Sequence, residues 1–202
     1  MMRWIVLVLS LALLAGCYTS GKRGSERGLV IHDLGLPAER LPGTERPGIL
    51  AIEVRAPLWM DSLGINYRLA YADASVLREY SRSRWAGPPG QLIEQRLLQQ
   101  LDGVPSGQVR GKCLLRVEIA EFSQVFSAPA ESRGMLRGRA FWLDAGRRPL
   151  AERPVAIAVP APTADASGGV AALQESVGQL AGLLMAWERE LLVGGQAKAC
   201  TD

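Results

Sequence analysis

Apolar positions along this 202-residue chain follow a period of two over most of its middle and a helical period at two later points. Ile49 to Val54 is a nearly continuous apolar run closed by Pro57, the pattern of a strand buried on both faces. Leu58-Trp59-Met60-Asp61 is a short connection. In the next stretch Ile65, Tyr67, Leu69 and Tyr71 share one face, while Asn66, Arg68 and Ala70 share the other. Asp73 and Ser75 punctuate it, and Val76 to Tyr80 reads as its hairpin partner. Pro88-Pro89-Gly90 opens a helix in which Leu92, Ile93, Leu97, Leu98 and Leu101 form one stripe, ended by Gly103 and Pro105. Cys113, Leu115, Val117 and Ile119 alternate with Arg116 and Glu118. The strand continues through Phe122, Val125 and Phe126, and its slip in alternation predicts a β-bulge. Strands follow over 132–143 and 150–159, separated by a turn at Gly146. Leu173, Val177, Leu180, Leu184, Trp187 and Leu191 then mark a helix over 168–193, with Gly194-Gly195 at its end.

The order is therefore βββαβββα. Two main helices on one face of a mixed, mainly antiparallel sheet of about six strands give a two-layer α/β domain. That domain spans 48–202. The segment before it has little apolar periodicity and is rich in Gly, Pro, Ser, Arg and Glu, so 17–47 reads as a tether to the domain. Leu34, Leu36 and Leu41 could dock locally. Fully extended, residues 18–46 reach about 95 Å.

The first 16 residues have a different character. Met1-Met2-Arg3 supplies one positive charge, and Trp4 to Leu14 is apolar except for Ser10. That run suits a signal sequence and falls short of the ~20 residues that a membrane-spanning helix needs. Leu14-Ala15-Gly16-Cys17 resembles the lipobox of bacterial lipoproteins. The resemblance implies that Cys17 is alkylated by a diacylglyceryl group, that the chain is cut between Gly16 and Cys17, and that the new amino terminus is acylated. Tyr18 follows the cysteine. An aspartate there would suggest retention in the inner membrane, so Tyr18 favours the outer membrane.

Charge narrows the partners. The first 16 residues carry Arg3 alone, which leaves 22 basic against 20 acidic side chains in the rest. Lysine occurs only at Lys22, Lys112 and Lys198, and no Lys/Arg run exceeds two residues. Arg133, Arg137 and Arg139 form a spaced series. This balance does not predict nucleic-acid binding, least of all for an exported protein. In an oxidising compartment Cys113 and Cys200 are expected to form a disulfide. The alternative is a buried Cys113 with a loose Cys200 near the C-terminus.

No catalytic constellation assembles, and no cofactor is implied. The single histidine, His32, falls in the tether, where a general base would lack a fixed orientation. Metal-ligand spacing and phosphate-binding loops are absent. Asp61, Asp73 and Glu79 lie close in sequence, as a carboxylate site would require, but solvated charges at strand ends are the better explanation. In Arg82-Ser83-Arg84-Trp85-Ala86-Gly87-Pro88, Trp85 with Arg84 is a candidate partner contact. The other reading of Trp85 is a core plug where strand meets helix.

Pro57-Leu58-Trp59-Met60, Ile65-Asn66-Tyr67-Arg68-Leu69, Arg84-Trp85-Ala86-Gly87-Pro88 and Leu115 to Phe126 together resemble the auxiliary lipoproteins of ABC-type transport systems. That family includes the paraquat-inducible outer-membrane lipoprotein type, which works with mammalian-cell-entry (MCE) proteins. The resemblance implies a non-enzymatic role on the inner leaflet of the outer membrane, facing the periplasm. There the chain would dock an MCE-domain protein whose ABC permease and ATPase lie in the inner membrane, and lipid would pass between the membranes. A homo-oligomer would suit a tubular partner. The alternative function is a lipoprotein scaffold or regulator of cell-wall synthesis.

Overall fold

The computed structural model describes residues 28–36, 39–42, 50–107 and 112–200. The signal sequence and the lipidation and cleavage positions Gly16 and Cys17 lie outside the described residues.

One strand organises the sheet. Strand β6 (Cys113–Ala128) has sixteen residues and is paired along both edges. One edge runs antiparallel to β7 (Glu131–Asp144), which pairs antiparallel with β8 (Pro149–Pro160). The other edge is shared by two parallel strands placed end to end. The first, β2 (Leu50–Arg55), lies against Cys113 to Glu118. The second, β3 (Gly64–Leu69), meets Gln124 to Phe126. Between these stretches the expected slip in alternation is a bulge between Ile119 and Glu121. A four-residue helix, α1 (Ala70–Asp73), leads from β3 into β4 (Ala74–Trp85), which pairs antiparallel with β3. Two short strands complete the sheet. β1 (Val30–His32) runs parallel to the end of β4, and β5 (Val104–Pro105) runs parallel to β2.

Two long helices cover one face. Helix α2 (Pro89–Gln100) starts at its prolines, whose missing N–H groups would have no helical partner there, and buries Ile93 and Leu97, with Leu101 just beyond. Helix α3 (Ala166–Val193) is capped by Asp165, whose carboxylate accepts from Gly168 N at 2.9 Å and from the Ser167 hydroxyl at 2.7 Å. These hydrogen bonds, led by the Gly168 amide, hold the Asp165 carboxyl below the usual range. All six residues of the expected α3 seam, from Leu173 to Leu191, are buried in one core with Leu115, Val117, Ile119 and Leu136 of the sheet. Each such side chain contributes about 1.5–3 kcal/mol. Close contact depends on Gly134 in β7 and Gly169 in α3. A Cβ on Gly134 would lie 2.7 Å from the Ala172 backbone, and one on Gly169 would lie 2.1 Å from the Gln124 amide oxygen.

The two-layer α/β architecture stands, with three differences. The sheet has eight strands rather than about six, because β1 and β5 are too short to show a period. The second and third expected strands also shift. Tyr71 leaves the strand for α1 and is exposed, and β4 extends through Trp85. Part of the expected tether belongs to the folded domain. β1 pairs with Ser83 to Trp85, Leu34 is in the core, and Leu41 N donates to Gln100 O at 2.9 Å. Arg96 of α2 holds this segment by donating to the carbonyls of Leu34 and Leu36. Gln174 of α3 donates to the Asp33 carbonyl at 2.9 Å.

Cys113, at the start of β6, and Cys200, in the last turn, are joined by a disulfide with their Cα atoms 5.3 Å apart. The bond closes a sequence separation of 87 residues. Replacing Cys200 with Ser, or reducing the native protein, is expected to lower the unfolding free energy by about 3–5 kcal/mol. Urea unfolding in the presence and absence of reductant measures this, and coincident midpoints would contradict the bond.

Candidate functional site

β2 and β3 occupy the same edge of β6 end to end, but Arg55 and Tyr67 are twelve residues apart where their partners Glu118 and Gln124 are six apart, so the chain between them leaves the sheet and returns. That excursion, residues 56–63, exposes a cluster of apolar side chains. Pro57 is extended, and a 3-10 turn over Leu58–Met60 is closed by Met60 N donating to Pro57 O at 2.8 Å and Asp61 N to Leu58 O at 3.0 Å. The turn divides its side chains. Met60 points inward and is 1% exposed, whereas Leu58 is 86% exposed, Trp59 41% and Leu63 42%.

Both ends of the excursion are fixed. At the start, Glu94 of α2 accepts from Val54 N at 2.8 Å, satisfying a backbone donor beyond the reach of β5. Gly90 allows α2 to sit close, since a Cβ there would lie 3.2 Å from that of Ala56. At the far end, Trp85 N donates to Leu63 O at 2.8 Å, and Gly64 lies opposite Arg84. Trp85 is 1% exposed and packs on Phe122 with ring centroids 5.8 Å apart. Of its two readings, Trp85 is the core plug; its burial rules it out as the partner-facing anchor. Arg84 is exposed beside the excursion, and the aromatic ring that faces solvent there is Trp59.

The flanking charge is organised too. Arg55, at the end of β2, donates to Glu53 at 2.9 and 3.0 Å, and Arg116 of β6 donates to the other Glu53 oxygen at 2.9 Å. Burial alone would raise the Glu53 carboxyl, but the two arginines outweigh it and hold it below the usual range. The site thus presents an indole, two leucines and flanking guanidinium groups on a backbone pinned at both ends. Aromatic and arginine side chains of this kind are enriched in protein interfaces.

The other candidate residues stay apart. His32 is a β1 residue whose carbonyl accepts from Ala86 N, so it sits in a strand rather than a tether. Asp73 accepts from the Ser75 side chain and backbone, Glu79 folds over Gly64, and Asp61 is exposed in the excursion. No hydrogen bond joins these three carboxylates. Among the described residues no group of three or more His, Cys, Asp or Glu could hold a metal ion, and no helix is long and apolar enough to cross a membrane. Sequence reading also missed a polar network. Tyr80 donates to the Gln124 side chain at 2.8 Å, and Gln124 donates to the Ser132 hydroxyl at 2.7 Å. Burial pushes the Tyr80 hydroxyl well above its ordinary value, with Tyr67 and Asp165 adding to the shift, so it remains a donor.

A family model described as an ABC-type transport auxiliary lipoprotein component matches residues 35–183. Two solved structures share the fold. One is a protein from Xanthomonas campestris, 20% identical, with a TM-score of 0.69 over 84% of this chain and 99% of that one. The other is an uncharacterized protein, 18% identical, with a TM-score of 0.62 over 79% of this chain and 97% of that one. No protein of curated function matches the chain in sequence.

The two tryptophans should separate in stability measurements. Trp85→Ala removes a buried ring and is expected to cost about 3–5 kcal/mol. Trp59→Ala is expected to cost less than about 1 kcal/mol. Chemical denaturation of both variants tests this, and equal losses would contradict the division of the turn into an inward and an outward side.

Proposed function

The chain belongs to the family of ABC-type transport auxiliary lipoprotein components, and on that premise we propose that it is a non-enzymatic docking subunit of an MCE/ABC-type system that moves lipid between membranes. It is held at the outer membrane through a lipid on Cys17 and faces the periplasm. The auxiliary role points away from catalysis, and the energy for transport comes from the partner ATPase. This chain supplies position and a contact surface.

The observation that carries the reading is the excursion at 56–63. A leucine that is 86% exposed beside a half-exposed tryptophan costs solubility, and nothing in the fold requires either side chain to face solvent. Their backbone is immobilised by Met60, Glu94 and Trp85, so little conformational entropy is lost when a partner engages them. Leu58 and Trp59 form the apolar centre of the contact, and Arg55 and Arg84 form its polar rim.

Replacing Leu58 with a photo-crosslinking amino acid leaves the core intact, because this side chain buries almost nothing in the subunit. Irradiation of intact cells is expected to give an adduct with an MCE-domain protein. An adduct with a peptidoglycan synthase in its place would contradict the transport reading and support a cell-wall scaffold.

A further inference from the structure

The helices cover one face of the sheet, and the opposite face has a basic surface that the docking reading does not use. Its register places Arg133, Arg137 and Arg139 on the same side of β7, opposite Val125, Glu121 and Glu118 of β6. All three arginines are exposed, and among the described residues Arg133 and Arg137 form no ion pair, whereas Arg139 pairs with Glu152. Arg147 extends the patch to the β7–β8 turn and is more than half exposed. Fewer of the carboxylates on this face are exposed. Glu53 and Glu121 are each 20% exposed and pair with Arg116, Arg147 and Arg68, of which Arg116 and Arg68 lie equally deep. Glu118 is half-buried, while Glu131, on the same side of β7, and Glu152, paired with Arg139, are exposed. An approaching partner therefore meets more exposed guanidinium groups than exposed carboxylates. The near-neutral composition of the whole chain conceals this imbalance.

We infer that this open sheet face lies against the anionic phospholipid surface of the membrane to which the chain is anchored. Planar guanidinium forks match phosphate oxygens two at a time. Basic residues beside a bilayer are attracted to anionic lipid within a Debye length of the surface. The shape of the face argues against an acidic protein as occupant. Protein interfaces centre on aromatic and apolar anchors and exclude charge from that centre. Here the residues opposite Arg139 and Arg137 on β8 are Pro154 and Ala156, and beyond them Ala158 is equally small, so the face has low relief. Its small apolar cluster of Ala51, Leu114 and Leu143 is buried. Between Arg137 and Arg139 lies a shallow open depression, also lined by Glu118 and Ala120, against which a lipid headgroup can rest.

Chain length supports the same occupant. Since β1 starts at Val30, only residues 17–29 separate the anchor from the folded domain. They span at most ~43 Å, against a radius of gyration of ~16 Å for a domain of this size. The domain therefore cannot travel far from the bilayer. The inference rests on lipidation of Cys17 but not on any transport partner.

The test uses the full-length lipidated protein reconstituted into vesicles of phosphatidylcholine alone or with phosphatidylglycerol. Mass spectrometry first establishes the lipid on Cys17. Arginine labelling by phenylglyoxal is then followed residue by residue, with the exposed Arg189 of α3 as reference. Labelling of Arg133, Arg137 and Arg139 is expected to slow roughly threefold or more in the anionic vesicles, and to recover when salt is raised to about 0.5 M. Arg189 is expected to be unchanged. Equal labelling in both vesicle types, with Cys17 lipidated, would overturn this inference alone. An unlipidated Cys17 would overturn the anchor as well. Protection that survives Arg133→Gln/Arg137→Gln at Arg139 to the full extent would also count against a shared basic face.

Discussion

The pairing of β6 along both edges is the constraint on which the rest of the structure depends. Buried backbone donors and acceptors must be satisfied, and sixteen residues of central strand need more partner than any single neighbour on the second edge supplies. β2 and β3 share that edge, one on each side of the bulge at Ile119. Arg55 and Tyr67 are twelve residues apart whereas their partners Glu118 and Gln124 are six apart, so the chain between the two strands is longer than the edge can pair. The chain between them must loop outward, and the loop is the excursion that carries Leu58 and Trp59. The same arrangement sets the positions of Glu94 and Trp85, which close the backbone at either end of the loop. The place of the excursion is thus a consequence of the register, whereas the apolar side chains exposed on it are not.

The two faces of the sheet divide the remaining work. One face packs under α2 and α3, and its close contact depends on small residues at Gly134 and Gly169. The other exposes more arginines than glutamates. Arg153 of β8 crosses to the helical layer, where it pairs with Glu190 and lies 5.2 Å from the Trp187 ring centroid, fastening an edge strand to α3. The disulfide from Cys113 fastens the other end of the chain to the start of β6. The N-terminal segment is bound through backbone carbonyls read by Arg96 and Gln174, so the folded domain extends back to β1.

Much of this could be read from the chain. Periodicity located both long helices, the long strands β6, β7 and β8, and the bulge, because each of these elements buries one face and leaves a strong alternation. It failed where the stabilising partner is remote or the element is short. The three residues of β1 cannot show a period, and the strand they pair with, the end of β4, lies more than fifty residues away. Tyr71 continues the alternation of β3 yet sits in α1, because local alternation does not reveal where pairing stops. Arg84-Trp85 was legible as a notable motif, but burial could not be read from it. The neighbouring tryptophan, Trp59, is the one exposed. The only available signal was that Trp59 sits in a proline-led connection with no periodic face. The basic face was hidden in the same way, since composition sums arginines and glutamates without regard to depth.

The central claim is that the excursion has a structural side and a docking side. Its most direct test is affinity capture of the transport partner by the lipidated protein carrying Leu58→Ser and Trp59→Ala together, with the thermal midpoint measured on the same preparation. The account predicts that capture falls at least about tenfold, the effect of losing roughly 1.4 kcal/mol or more from a binding anchor, while the midpoint stays within a few degrees of the parent. Undiminished capture by a folded double variant would contradict it.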